Sequence, residues 1–134
     1  MASLHFELVS PERLLMSDDV DAVEIPGTEG DMGILPGHAP VLSTLRPGVV
    51  TVTRGGKSER IFVRGGFAEV NPQGLTVLAE VAIPVAELDA SRIAQQIKNA
   101  EDDVNDAKTD ETRRRAQENL DHLKALESVL QAAH

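Results

Sequence analysis

The stretch Leu75-Thr76-Val77-Leu78-Ala79-Glu80-Val81-Ala82-Ile83-Pro84-Val85-Ala86-Glu87-Leu88-Asp89-Ala90-Ser91-Arg92-Ile93 decides the fold. Its first part, Leu75 to Val81, reads as a strand. After Pro84 the period lengthens. Ile93, Ile97, Ala100, Val104 and Ala107 recur at spacings of four and three, one stripe of a helix at about 100° per residue. Gly74 is the last of ten glycines and Pro84 the last of seven prolines. Both residues punctuate turns and are disfavoured inside helices. The chain therefore divides into a turn-rich β part, residues 1–86, and a helical part, residues 87–134.

Working upstream, Leu4, Phe6 and Leu8 alternate with His5, Glu7 and Val9, the period of a strand. Ser10-Pro11-Glu12-Arg13 reads as a turn, and Val20 to Ile25 as a second strand ended by Pro26-Gly27. Short strands are expected at Ile34-Leu35 and Val41 to Leu45, on either side of Pro36-Gly37. Val49 to Thr53 is β-branched, as strands prefer. Gly55-Gly56 supplies a tight hairpin turn, and Arg60 to Arg64 is the return strand. Gly65-Gly66 marks a bulge or bend before Phe67 to Val70, and Asn71-Pro72-Gln73-Gly74 is a further turn. Turn signals at this spacing predict an antiparallel sandwich or barrel.

Downstream, Asp89 is placed to cap the first helix. Lys108-Thr109-Asp110-Glu111 interrupts the pattern, and Thr109 or Asp110 caps a second helix. Its stripe is Ala116, Leu120, Leu123, Leu126 and Leu130. Two amphipathic helices with a short polar link predict an antiparallel hairpin.

Composition removes several functions. The net charge is −9, with an acidic excess in both parts. Such a chain is repelled by phosphate backbones and anionic lipid surfaces. Three Phe and no Tyr or Trp leave no stacking platform for bases. The absence of cysteine excludes disulfides and thiolate metal sites. No apolar run approaches the roughly 20 residues of a membrane helix, and the start, Met1 to Glu7, carries no secretory pattern. These features predict a cytosolic protein that reaches a membrane only through partners.

No catalytic constellation stands out. Glycines 27, 30, 33 and 37 suggest a phosphate cradle, but Leu35-Pro36-Gly37 follows where a helix N-terminus is needed. A loop between strands is the better reading. Gly56-Lys57-Ser58 imitates the end of a phosphate loop, but the glycine required five positions earlier is Thr51. His5, His38, His122 and His134 lack ligand spacing, so no metal site is expected. Arg113-Arg114-Arg115 is the one basic cluster, either an exposed face or a docking point for an acidic partner or phosphate.

Several stretches together resemble the epsilon subunits of bacterial F-type ATP synthases. They are Phe6 to Glu12, Ile25 to Pro40 with its Leu35-Pro36-Gly37-His38, Leu45-Arg46-Pro47-Gly48, Gly65 to Val70, and Leu88-Asp89 with Arg92. The resemblance spans nearly the whole chain. It implies an N-terminal antiparallel β-sandwich of about ten strands followed by a two-helix hairpin. It implies a non-catalytic central-stalk subunit that couples proton flow to rotary ATP synthesis. The subunit works on the cytoplasmic side of the inner membrane, without inserting into it, and has no resident cofactor. The sandwich is expected to contact the gamma subunit through Ser10 and His38, and the c-ring through Glu29, Gly30 and Asp31. The hairpin is expected to act as a regulatory arm reaching the catalytic alpha and beta subunits. The family's ATP motif has Ile or Leu, then Asp, two variable residues, Arg and Ala. Leu88, Asp89 and Arg92 match it and make ATP a candidate regulatory ligand, whereas Ile93 replaces the alanine. A free-standing adaptor or small-ligand-binding sandwich is the alternative.

Overall fold

The computed structural model describes residues 3–132; His134 lies outside them, as do Met1 and Ala2. The chain forms two compact units, Met1–Ala86 and Glu87–His134.

The first unit holds eight strands: β1 (Leu4–Val9), β2 (Leu14–Val20), β3 (Ala22–Gly27), β4 (Gly30–Ile34), β5 (Val41–Thr44), β6 (Gly48–Arg54), β7 (Lys57–Asn71) and β8 (Gly74–Pro84). The sheet order is β2-β1-β8-β7-β6-β3-β4, with β5 added on β7. β7 and β8 are long because each serves both layers. The start of β7 pairs with β6 and its end with β5. Counting the halves of these two strands separately gives the ten strands that the resemblance implies.

Gly65 and Gly66 make the corner, at φ of 72° and 97°. The β7–β8 register runs unbroken across them, from Ile61↔Pro84 to Asn71↔Gly74. It is a bend shared by both strands rather than a bulge. Their inward positions change phase there: Ile61 and Val63 enter the core before the corner, Ala68 and Val70 after it. A Cβ on Gly66 would lie 1.8 Å from the Leu78 carbonyl oxygen. Only glycine permits so close an approach at positive φ.

Six strand pairings are antiparallel, but β1 and β8 run parallel, with Phe6 opposite Leu75 and Val9 opposite Leu78. The expected all-antiparallel sandwich is therefore a mixed one. The expected strand from Val20 to Ile25 is two strands, because the chain turns at Asp21. There the Asp21 amide donates to the Thr53 carbonyl (2.9 Å), and its carboxylate accepts from the Gly55 amide (2.9 Å).

The turns follow from their residues. Gly55 and Gly56 sit at φ of 59° and 79°, the left-handed pair of a tight hairpin. The Asn71 side chain accepts from the amides of Gln73 (2.9 Å) and Gly74 (3.1 Å), so it closes its own turn. Ser10 and Arg13 exchange backbone hydrogen bonds at 2.9 and 3.3 Å. One core joins Phe6, Leu8, Val23, Ile25, Ile34, Val50, Val63, Leu75 and Val77, all under 2% exposed.

In the second unit a 3-10 turn at Val85–Glu87 precedes α1 (Ala90–Asp106) and α2 (Asp110–Ala132). The Asp89 carboxylate accepts from the Arg92 amide at 3.1 Å and caps α1. Thr109 caps α2, since its hydroxyl accepts from the Thr112 amide (3.1 Å), and the Thr112 hydroxyl accepts from the Thr109 amide (3.2 Å). Ile93, Ile97 and Ala100 of α1 and Leu120, Leu123 and Leu126 of α2 are buried. The ends of both predicted stripes, Val104, Ala107, Ala116 and Leu130, are only half-buried.

Candidate functional site

The first unit leaves an apolar row in the open. Leu14 of β2 faces Val9 of β1, Val9 faces Leu78 of β8, Leu78 faces Phe67 of β7, and Phe67 faces Thr44 of β5. The row runs straight across five strands, about 19 Å at the usual strand spacing. Inward neighbours Leu8, Val77 and Ala68 belong to the core, so alternation sends the row to the outer face. Leu14 is 57% exposed, Phe67 39% and Leu78 38%. A register shift between Leu8 and Val9 makes the row continuous. It lets Leu15 and Met16 both pack inward and turns Leu14 outward.

Beside this row the outer face carries Glu7, Thr76, Glu69 and Leu42, and Glu80 lies on its other side. Leu42 is also exposed. Farther along β1, the His5 Nδ1 is 3.0 Å from Asp19 and its Nε2 is 3.7 Å from Glu7. The hydrogen bond to Asp19 holds the imidazole above the ordinary histidine value, against desolvation and with help from the charges of Asp19 and Glu7.

The expected contact residues occupy two ends of this body. Ser10 follows Val9 at one end of β1, and its hydroxyl is spent on the Arg13 carbonyl (3.4 Å). Glu29 lies in the exposed β3–β4 turn, and the exposed Gly30 and Asp31 open β4 beside it. Arg46 braces that turn by an ion pair with Asp31 and a 3.2 Å hydrogen bond to the Gly27 carbonyl. Gly27 bridges to Leu45, and the Leu45 amide donates to Gly66. The turn thus stands at the same end as Ser10.

His38 lies at the opposite end. Its Nδ1 bonds the Ala39 carbonyl at 2.7 Å, and it shares a groove of about 300 Å³ with His5, Pro40 and Asn71. Ser10 is five residues of strand beyond His5, about 16 Å away. Ser10 and His38 therefore do not meet, but they bracket the outer face between them. Glycines 27, 30, 33 and 37 belong to the β3–β4 hairpin and the turn after it, with no helix following. The phosphate-cradle reading ends there.

In the second unit Leu88, Asp89 and Arg92 sit together at the start of α1. One carboxylate oxygen of Asp89 is engaged in the cap, and Ile93 is buried in the helix pair. Arg113 bonds the Ala107 carbonyl (3.1 Å) and Arg115 pairs with Glu111 (2.9 Å). The basic cluster thus lies at the other end of α1, about 25 Å from Asp89 for a helix of this length. Near Asp89, α2 supplies Glu127, Leu130 and Gln131 around a gap of about 140 Å³. Among the described residues no cluster of His, Cys, Asp or Glu is fit to hold a metal.

Residues 3–85 match the family described as the beta-sandwich domain of the ATP synthase delta/epsilon chain. The ATP synthase epsilon chain of Parvibaculum lavamentivorans is 62% identical over 124 residues, covering 92% of this chain and 94% of that one. That of Nitrobacter winogradskyi is 51% identical over 130 residues, covering 97% and 96%. The chain belongs to the ATP synthase epsilon chains. As an epsilon chain it is a non-catalytic subunit of the synthase's central stalk. A chain in the mitochondrial ATP synthase of Euglena gracilis, in an assembly with OSCP, F1 and c-ring, superposes with a TM-score of 0.82 at 27% identity. That match covers all of this epsilon chain and 83% of the other. A chain from the central stalk and c-ring of the Tetrahymena thermophila enzyme shares the fold at a TM-score of 0.66 and 14% identity, covering 97% and 95%.

Sequence reasoning named the ends of the outer face and missed its middle. Leu14, Val9, Leu78 and Phe67 come from four strands, and only the register brings them into line.

Proposed function

We propose that this epsilon chain joins the central stalk by laying the outer face of β2, β1, β8, β7 and β5 on the gamma subunit. The end of its β3–β4 hairpin, Glu29 to Asp31, meets the c-ring. The carrying observation is the row of Leu14, Val9, Leu78 and Phe67, exposed at every position but the half-buried Val9. Monomers seldom leave contiguous apolar area uncovered without a partner for it. A standard interface covers about 800 Å² on each partner, wide enough to take in both Ser10 and His38 from one face. Bracing by Arg46 suits the 29–31 segment to transmit force rather than yield to it. The subunit sits on the cytoplasmic side of the inner membrane and is held there by these partners. Among the described residues no helix is long and apolar enough to cross a membrane.

The helical unit is the regulatory arm of this reading, reaching the alpha and beta subunits. A nucleotide at Leu88, Asp89 and Arg92 rests on the motif alone. In this hairpin Arg92 would meet the phosphates without Arg113 to Arg115.

Co-expression of the full-length chain with the gamma subunit tests the reading. Stoichiometric co-purification is expected. A chain that elutes free of gamma would overturn the docking face.

A further inference from the structure

The body's charges are segregated. Residues 4–9, 14–20, 41–44, 65–71 and 74–84, which build the layer behind the apolar row, contain Glu7, Asp18, Asp19, Glu69 and Glu80 but neither Lys nor Arg. The body's bases are Arg13, Arg46, Arg54, Lys57, Arg60 and Arg64. Four of them belong to β6, the β6–β7 turn and the first half of β7. Arg46 is paired with Asp31 and Arg54 with Asp18 and Glu59. Strand alternation puts Glu7, Glu69 and Glu80 on the outer face, two residues along their strands on either side of Val9, Phe67 and Leu78. Asp19 lies beyond Glu7, beside His5. The apolar row is therefore flanked along the strands by carboxylates, with His5 beyond Glu7 and Arg13 in the turn before Leu14.

We infer that the surface seated on this row is an apolar ridge bordered by Lys and Arg side chains, presented by the gamma subunit. This rests on the docking reading above and states the chemistry of its partner. An apolar centre supplies most of the affinity of such a contact. Opposite charges around the rim act mainly on the rate and orientation of encounter and on the rejection of wrong partners. A basic rim meets Glu7, Glu69 and Glu80 favourably. An acidic one would bring like charges together around a centre from which water is leaving. Bulk charge does not give this result, because the other half of the same body carries most of its bases.

The test measures association of the full-length chain with gamma at 50 and 300 mM salt, for wild type and for Glu69→Lys/Glu80→Lys. Electrostatic steering of this kind raises association rates by about tenfold or more at low salt. The wild-type rate is expected to fall by about that factor at the higher salt, as screening predicts. The double variant should start slow and respond little to salt. Asp103→Lys, on the exposed side of α1, controls for charge alone and should leave the rate within about twofold. Equal, salt-insensitive rates for wild type and double variant would overturn the basic rim while leaving the docking face standing. A slowing by Asp103→Lys as large as that by the double variant would overturn it too. Wild type that fails to bind gamma at either salt concentration overturns the docking reading itself.

Discussion

Phe67 of β7 and Leu78 of β8 are direct cross-strand partners on the outer face, and each leaves more than a third of its surface in water. One position along, Ala68 and Val77 are also partners and are fully buried. The same two strands thus build a core on one side and an uncovered apolar row on the other. Outer residues that hold the fold should be costly to remove, whereas residues kept for a partner should not. Phe67→Ser and Leu78→Ser are each expected to lower the stability of the isolated chain by under about 1 kcal/mol. Leu75→Ala, at a core position, should cost about 2–5 kcal/mol. Urea unfolding of the three variants checks the contrast.

The corner between the layers depends on one glycine. Gly66 combines a φ of 97° with a Cβ position 1.8 Å from a carbonyl oxygen, whereas a Cβ on Gly33 would meet nothing within 4 Å. Gly66→Ala should therefore destabilise the body by more than about 3 kcal/mol or prevent its folding. Gly33→Ala should be close to neutral, and thermal melts of both decide it.

The bridge from His5 to Asp19 makes a small part of the stability depend on pH. The folded state raises the histidine's affinity for its proton. The contribution is fully present below the ordinary value of about 6.5 and is lost as pH rises through the raised one. Wild type should melt above His5→Gln at pH 5.5, and the gap should close by pH 8.5. A gap that widens with pH would contradict the assignment.

Asp89 is a cap in this hairpin before it is anything else. Asp89→Ala removes the acceptor of the Arg92 amide and should cost the helical unit about 1 kcal/mol. Asp89→Asn, which keeps a capping oxygen, should recover most of that. Helicity by circular dichroism during urea titration separates the two. A variant that loses nothing would mean that the start of α1 is held by something other than its cap.

The legible features were the ones written locally. Gly55-Gly56, Asn71 to Gly74 and Ser10 to Arg13 each close a turn with their own atoms, and Asp89 and Thr109 cap helices in the same way. The strand Leu14–Val20 escaped notice because Ser17, Asp18 and Asp19 are exposed on an edge strand and break the apolar alternation. The parallel pairing of β1 with β8 joins residues about seventy positions apart, and no local pattern encodes such a partner. The length of β7 was hidden because Gly65-Gly66 reads as a break, whereas the structure carries the strand through it. For the candidate site, Ser10, His38 and the 29–31 segment were named through the resemblance. The row between them arises from pairing, so single-strand patterns showed Val9 and Leu78 only as ordinary strand residues.

Affinity of the full-length chain for the gamma subunit, measured for wild type and for Phe67→Ser/Leu78→Ser, tests the docking face most directly. The account predicts a Kd raised by about 100-fold, the loss of two anchors at the centre of an interface, with the melting temperature of the free chain little changed. An unchanged Kd in a folded double variant would contradict it.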